Sequence, residues 1–494
     1  MNIIPINEIR KAVLSKQWVP VAAIVLLATA LRLYQLGTES LWTDEFHSLR
    51  ATENFKFGFR VLYFALLRGW MLLSTDDAWL RGLSVVFGIG SVFLVYQLSY
   101  RLIGKSVGFI AAFTVAVSPL FIFHSQEVRM YMLSTFLTLF GTLAMVNVLE
   151  RPTVLSLGWW VIARILAIYT TPLNLLLLLP DILLIFWKYR NRTRVLSGVA
   201  IGLFAVGLLF LPVAALFVSK SQQFLSRANK WPSFAEVVGQ LPAATVYWPM
   251  KQLPESQFWF YGLCGLVLVF LLGFLIFNKK RSARLTWLTA WALIPTAILL
   301  GVSCVLGDIW TPRYLLLSTP YLIILFAAGF LQVWRWQKGV ALVVLSVYAV
   351  ALGGGLLHYY GEQNITDWRG LVQTIRADEA TGDVIAVPSD FARDLVFDHY
   401  YAGSTPIYVV EPLKSFREVE PSVIEQGLNQ FPNASRLWLV YERSTDDRGQ
   451  EHQQRLQSVI DEQFSMADHS VFSGYSDTID LFLLIPHSPA RNAS

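Results

Sequence analysis

The sequence predicts a mainly α-helical, polytopic membrane bundle followed by a small soluble α/β domain, and three observations carry that prediction. Composition comes first: of 494 residues, 15% are charged and 55% hydrophobic, with 17 Trp and 33 Phe, whereas a soluble domain is roughly a quarter charged. Apolar runs also recur at the ~18–20 residues that cross a bilayer as helix. Charge, finally, is divided: residues 361–494 hold 21 acidic and 10 basic side chains, and the preceding 360 hold 13 and 29. A soluble enzyme, a secreted disulfide scaffold and a nucleic-acid module are excluded. The basic excess belongs to membrane loops and the acidic excess to a solvated tail, so no nucleic acid is expected as a partner.

About 11 spans are expected, at 19–36, 80–102, 107–124, 131–149, 155–171, 173–188, 195–218, 258–277, 285–306, 313–333 and 339–357. The first apolar run lacks a small-residue cleavage site and reads as a retained helix. Lys and Arg in short loops set orientation. Arg10, Lys11 and Lys16 place the N-terminus in the cytoplasm. With 11 spans, Arg101/Lys105, Lys188/Arg190/Arg192/Arg194, Lys279/Lys280/Arg281/Arg284 and Arg335/Lys338 all fall on that side. Phe57–Ser74 is apolar but carries Arg60 and Arg68, and counting it as a span would put these loops on opposite sides. It reads instead as an interfacial helix. Domain 1–360 is then the membrane unit, with interfacial helices in outer loop 37–79, and 361–494 is a soluble domain on the outer face of the cytoplasmic membrane. Cys264 and Cys304 lie inside apolar runs and give no sign of compartment.

Beyond residue 361 the pattern changes. Strand-like runs at Asp383–Pro388, Pro406–Val410, Arg436–Tyr441 and Thr478–Ile485 alternate with helix-like Asp367–Arg376 and Gln453–Phe464. Alternation of this kind predicts a small α/β domain. It holds no glycine-rich phosphate loop and no metal-spaced His or Cys cluster.

Three clusters on the outer face carry candidate chemistry. In Thr38-Glu-Ser-Leu-Trp-Thr-Asp-Glu-Phe-His-Ser48, Asp44 and Glu45 are adjacent, so on a helix they point roughly 100° apart. One carboxylate can face a reacting group while the other orients it or binds metal. The same acids suit the first turn of an interfacial helix capped by Thr43. In His124-Ser-Gln-Glu-Val-Arg-Met-Tyr131, His124, Glu127 and Tyr131 share one helical stripe. Ionisable groups beside hydrocarbon are costly and point to function, although a helix start capped by Ser125, with Arg129 reaching headgroups, fits as well. In Gly307-Asp-Ile-Trp-Thr-Pro-Arg-Tyr314, Arg313 suits a bidentate grip on phosphate or a headgroup anchor, with Asp308 as its partner. Arg60 and Arg68 fit snorkelling or a lipid phosphate. His47 and His124 are the histidines best placed for a metal, and two histidines leave a divalent metal open. Asp181, within an apolar run, reads as a buried structural acid.

Carboxylates and arginines gathered on one membrane face suit a substrate that is both lipid-anchored and phosphorylated. Chemistry on it needs a base for the attacking group and cations for the departing phosphate.

At these residues the sequence also resembles a known group. Ser40-Leu-Trp-Thr-Asp-Glu45 is similar to the first-loop acidic motif of GT-C glycosyltransferases, in the branch of protein O-mannosyltransferases and lipid A aminoarabinose transferases. His124-Ser-Gln-Glu-Val-Arg-Met-Tyr131 resembles the second-loop motif of its bacterial members. Pro312-Arg-Tyr314 and Asp367-Trp-Arg369 are similar to that group too. The resemblance covers most of 19–370. Phe57-Gly-Phe-Arg-Val-Leu-Tyr63 departs from the Pro-Pro-Leu-Tyr type run of many relatives. The resemblance implies an inverting, multi-pass enzyme with a polyprenyl-phosphate monosaccharide as donor. Asp44 would be the base, supported by Glu45. Arg129 and Arg313 would hold the phosphate, with Tyr131 and Arg60 on the donor side, and Glu127 would orient Arg129 or bind an ion. The acceptor, a hydroxyl of glycolipid, polysaccharide or protein, is left open. Two other classes compete: a polyprenyl-linked sugar flippase, which needs polar residues near the membrane midplane, and a non-catalytic scaffold, for which Asp44→Asn is silent.

Overall fold

Long Leu-, Val-, Ile- and Phe-rich runs wind into helices that satisfy their own backbone groups, as a segment in lipid must. The computed structural model describes residues 18–55, 58–225, 255–276, 282–306, 310–413, 420–428, 434–443, 447–474 and 478–487. Asp308, Phe57, most of loop 219–257, and Arg10, Lys11, Lys16, Lys279, Lys280 and Arg281 lie outside the described residues.

The chain divides into two compact units, Met1–Leu36 with Ala51–Tyr360, and Gly37–Arg50 with Gly361–Ser494. The helices in order are α1 Trp18–Leu33, α2 Thr43–Glu53, α3 Val61–Met71, α4 Asp77–Leu102, α5 Lys105–Val117, α6 Pro119–Ser125, α7 Tyr131–Glu150 and α8 Val154–Thr170. There follow α9 Leu178–Tyr189, α10 Thr193–Leu225, α11 Glu255–Ile276, α12 Ala283–Leu306, the turn α13 Pro312–Leu315, α14 Thr319–Trp336 and α15 Lys338–Gly361.

Each expected span coincides with helix, but the count of 11 exceeds what helix length supports. Among the described residues six helices are long and apolar enough to cross a membrane, or seven if α5 and α6, bent by 58°, form one span. The chain is a multi-pass membrane protein on this evidence. Helix α3, at 11 residues, rises only about 16 Å and is too short to cross a core of about 30 Å. The span expected at 313–333 is also interrupted, because residues 316–318 form a turn between α13 and α14.

Asp181 is a fully buried acid, and it ties the bundle together. It accepts hydrogen bonds from Trp160 Nε1 (2.7 Å), Trp291 Nε1 (2.8 Å) and Arg164 Nε (2.8 Å). Arg164 Nη2 also reaches Thr142 Oγ1 (3.1 Å), which lies 2.7 Å from Tyr321 OH. Five helices, α7, α8, α9, α12 and α14, thus meet at one fully buried ion pair. At the C-terminal ends of α4 and α7, Glu150 bridges Arg101 (2.6 Å) and Arg284 (3.0 Å).

The second unit adds α16 Trp368–Asp378, α17 Pro421–Leu428 and α18 Asp447–Gln463 around β1 Asp383–Val387, β2 Ile407–Val409, β3 Arg436–Arg443, β4 Phe464–Ser473 and β5 Thr478–Pro486. Strand order is β2-β1-β3-β5-β4. Strand β1 pairs parallel with β2 and β3, and β5 pairs antiparallel with β3 and β4. Leu437, Leu439, Tyr441, Phe482 and Leu484 pack one sheet face against Ile424, Leu428, Leu456, Val459 and Ile460 of α17 and α18. The α/β expectation holds, with β4 as an added, largely exposed strand. Asp383 closes the start of β1, accepting from Arg436 Nε (2.9 Å), Trp438 Nε1 (3.0 Å) and Ala380 N (2.9 Å). Burial alone would raise its pKa, but these donors outweigh burial and hold it below the usual carboxylate range.

Candidate active site

The acid pair sits at the start of α2, in the second unit. Helix α2 begins at Thr43, so Trp42 is the capping position and Glu45 the third helical residue. Glu45 Oε2 accepts the Trp42 N–H at 3.1 Å, the returning half of a capping box. The cap expected from Thr43 is therefore corrected: Thr43 is already helical, and the long Glu45 side chain closes the turn. Glu45 is buried and Asp44 is half-buried at the second helical position. Adjacent positions send the two carboxylates apart, as the helical period requires. His47 is exposed, 5.5 Å from the Phe391 ring.

His124, Glu127, Arg129, Tyr131 and Arg313 all lie in the first unit. They do not form the expected stripe of one helix. Helix α6 ends at Ser125, residues 126–130 turn, and α7 starts at Tyr131. Ser125 caps nothing at a helix start; its hydroxyl donates back to Phe121 O at 2.6 Å. The turn still gathers the group. His124 Nδ1 lies 2.5 Å from Glu127 Oε1, and the His124 ring is 4.9 Å from that of Tyr131. The Arg129 guanidinium stands 5.8 Å over the Tyr131 ring. Charges on Arg129, Arg313 and Glu127 all act on the Tyr131 hydroxyl. His124, Glu127, Arg129 and Tyr131 are each at most 5% exposed, and the Tyr131 hydroxyl has no hydrogen-bond partner. Two guanidiniums thus act on one buried hydroxyl. Arg60 precedes α3, and Arg68 lies 6.0 Å over Phe55.

Sequence reasoning missed Arg32, which holds this turn in place. Pro119 has no N–H, so the Val115 carbonyl one turn earlier loses its helical donor. Arg32, fully buried in the last turn of α1, supplies the replacement: Nη2 reaches Val115 O at 3.2 Å and Nη1 reaches Ala116 O at 3.0 Å. Its Nε donates to Ser125 Oγ at 3.0 Å, while Gln126 Nε2 donates back to Arg32 O at 3.0 Å. A Cβ on Gly88 would stand 2.2 Å from Ser125 Oγ, so the close approach of α4 admits only glycine there. The available signal was an arginine inside an apolar run, the kind of residue that must find partners at membrane depth.

An all-protein cage for zinc or calcium takes at least three converging donors, whereas Mg²⁺ can be held by one or two carboxylates together with a substrate phosphate. Among the described residues no group of three His, Cys, Asp or Glu side chains converges in this way. His124 with Glu127 offers two donors, His47 lies in the other unit, and no metal-dependent step is derived.

No protein-family model and no curated protein sequence matches the chain. Solved structures do. ArnT from Cupriavidus metallidurans bound to undecaprenyl phosphate aligns with a TM-score of 0.55 at 12% identity, covering 93% of this chain and 97% of that one. The fold is that of the GT-C glycosyltransferases. The apo form of the same ArnT gives 0.54 at 14% identity, with the same coverage. A mutant of the mycobacterial arabinofuranosyltransferase AftD gives 0.51 at 12%, covering 96% of this chain and 42% of that longer one. At such identities the likeness is one of GT-C fold, and chemistry has to be argued from the residues.

Proposed function

We propose that the chain is an inverting glycosyltransferase that moves a monosaccharide from a polyprenyl-phosphate donor to an acceptor hydroxyl at the outer face of the cytoplasmic membrane. The observation that carries this reading is the group formed by buried Arg129 and Tyr131 with half-buried Arg313, whose charge acts on the Tyr131 hydroxyl, within a GT-C fold. Charged side chains at membrane depth default to function, and guanidiniums are suited to a bidentate grip on a lipid phosphate. The bound undecaprenyl phosphate of the ArnT structure supports the same class of donor.

The reaction needs little else from the protein. The acceptor oxygen attacks the anomeric carbon, and its proton passes to Asp44. The bond from that carbon to the phosphate oxygen breaks on the opposite face, so configuration inverts and the lipid phosphate leaves as an anion. Arg129 and Arg313 stabilise the charge that grows on the phosphate, and Tyr131 donates to it. Glu45 keeps α2 closed beneath Asp44, and the His124–Glu127 pair keeps the turn that presents Arg129. A stable phosphate needs no proton to leave, so one carboxylate base suffices.

The test compares wild type and Asp44→Asn in liposomes with labelled undecaprenyl-phosphate monosaccharides and a membrane extract as acceptor. Label passing from lipid to product with wild type, and lost in the variant while donor still binds, is the expected result. Equal transfer by both proteins removes Asp44 from the mechanism. Donor crossing the bilayer without transfer replaces the enzyme with a transporter.

A further inference from the structure

The segment that carries the acid pair is held along its length by residues far away in sequence, all within the second unit. Glu39 Oε1 accepts the Asn364 N–H at 2.6 Å. Ser40, 1% exposed, works in both directions: Oγ donates to Asp367 Oδ1 at 3.0 Å and accepts the Arg369 N–H at 2.9 Å. Arg369 Nη1 donates to Gly37 O at 2.9 Å. The Leu41 N–H donates to Tyr400 OH at 2.7 Å. Arg369 also lies 5.6 Å over the Tyr400 ring, so two of the residues that hold residues 37–41 brace one another.

These partners have firm footings. Asp367 is the N-cap of α16, and the Oδ1 that receives Ser40 also accepts Gly370 N at 2.9 Å. The preceding residue, Thr366, abuts Gly474 after β4, where a Cβ would come within 2.0 Å of Thr366 N. Tyr400 ends the helical turn Asp398–Tyr400, which continues the π-helix Ala392–Phe397 that follows β1. On the far side of the acid pair, the buried Phe46 ring lies 5.9–6.0 Å from those of Phe391, His399 and Tyr400. Asp44 therefore sits between two fixed points, Leu41 before it and Phe46 after it.

Packing alone does not explain this arrangement. Ser40, Asp367, Arg369 and Tyr400 are absent from the apolar core beneath the sheet. The Arg369 guanidinium and the Tyr400 hydroxyl are spent on the backbone of Gly37, Glu39 and Leu41, and Asp367 on the Ser40 hydroxyl, immediately before the helical turn whose second residue is Asp44. An error of about 1 Å in a reacting group can cost about a hundredfold in rate, and a short loop has little rigidity of its own.

We propose that Ser40, Asp367, Arg369 and Tyr400 are positioning residues for Asp44, and that the second unit sets the place of the base through the Ser40 hydroxyl and the Leu41 amide. This rests on the reading of Asp44 as the base. The unit is thereby a working part of the transferase, not an appendage to it. Tyr400 sets the start of the turn, and Asp367 and Arg369 set the height of the loop.

The experiment uses the full chain in liposomes, with two readouts. Amide hydrogen exchange follows the peptide spanning Leu41–Phe46. Transfer kinetics use the undecaprenyl-phosphate monosaccharide that wild type turns over, with membrane extract as acceptor. Tyr400→Phe removes one hydroxyl and keeps the ring, and Ser40→Ala removes the other. Each is expected to raise exchange at Leu41–Phe46 by about fivefold to tenfold, as loss of one hydrogen bond does. Each is expected to lower kcat by about tenfold with donor KM changed less than about twofold, the pattern of a group that acts only in the transition state. Exchange in β1 and β3 stays at the wild-type rate, and Ser40→Thr, which keeps the hydroxyl, restores both readouts. Faster loop exchange with kcat unchanged makes the contacts merely structural and overturns the proposal, as do both readouts unchanged. The base assignment fails by a separate sign, Asp44→Asn transferring at the wild-type rate, whatever Tyr400→Phe does.

Discussion

Both units bury an aspartate against an arginine and indole N–H groups, and they do so in opposite surroundings. In the bundle, Asp181 takes its donors from Arg164, Trp160 and Trp291 on two other helices, and Arg164 is itself fully buried. In the sheet unit, Asp383 takes a backbone amide from Ala380 together with Arg436 and Trp438, and the Arg436 side chain keeps 23% of its exposure. Where lipid excludes water, every donor has to be a side chain brought from another helix. Where water reaches one partner, backbone and solvent share the work. The bundle therefore keeps its buried carboxylate fully paired, at a large cost only if one partner is removed. The second unit leaves a carboxylate such as Asp44 half-buried.

The largest effect should break the comparison at that carboxylate. Asp44→Asn is expected to lower kcat by about 10²–10⁴-fold while the thermal midpoint in detergent stays at the wild-type value. A fall in the midpoint would show that Asp44 also stabilises the chain. The bundle should respond the other way. Arg164→Leu strands a buried carboxylate and should cost about 3–5 kcal/mol, whereas the Arg164→Leu/Asp181→Leu pair should recover most of that; thermal unfolding of the single and double variants measures both. Arg32→Met leaves the Val115 and Ala116 carbonyls without their donors and should cost on the order of 2–3 kcal/mol. Donor binding by the turn at 126–130 should weaken with it, as titration with undecaprenyl phosphate would record.

The smallest effect sharpens the difference on the solvated side. Because the Asp383 pKa is lowered in the folded chain, its contribution is fully present above the unfolded value near 3.9 and lost as pH falls through the folded value. Pepsin cleavage within residues 383–443 should therefore accelerate as pH falls below about 4. Asp383→Asn should remove that acceleration.

Legibility followed the physical origin of each signal. Four strands, those at Asp383, Ile407, Arg436 and Thr478, were readable within one or two residues at each end, because β-branched and aromatic side chains leave a pattern. Strand β4 was not, since Phe464–Ser473 is mostly exposed and owes its conformation to pairing with β5. The acids at Asp44 and Glu45 were visible as a motif, and the arginines at 129 and 313 were visible as charges where apolar residues were due. The break at Ser118–Pro119 and the use of Arg32 to mend it were not visible, because a proline marks a bend without naming what takes the freed carbonyl.

By itself the sequence determined the membrane bundle, the solvated α/β tail and the residue types of the candidate site, because hydropathy and charge act locally and leave their mark on consecutive residues. Tertiary structure decided which distant groups meet. Ser40 finds Asp367, Leu41 finds Tyr400, and Asp181 finds Trp291. Such meetings depend on how elements pack in space, and a hydroxyl or an indole carries no record in the chain of the partner it will reach.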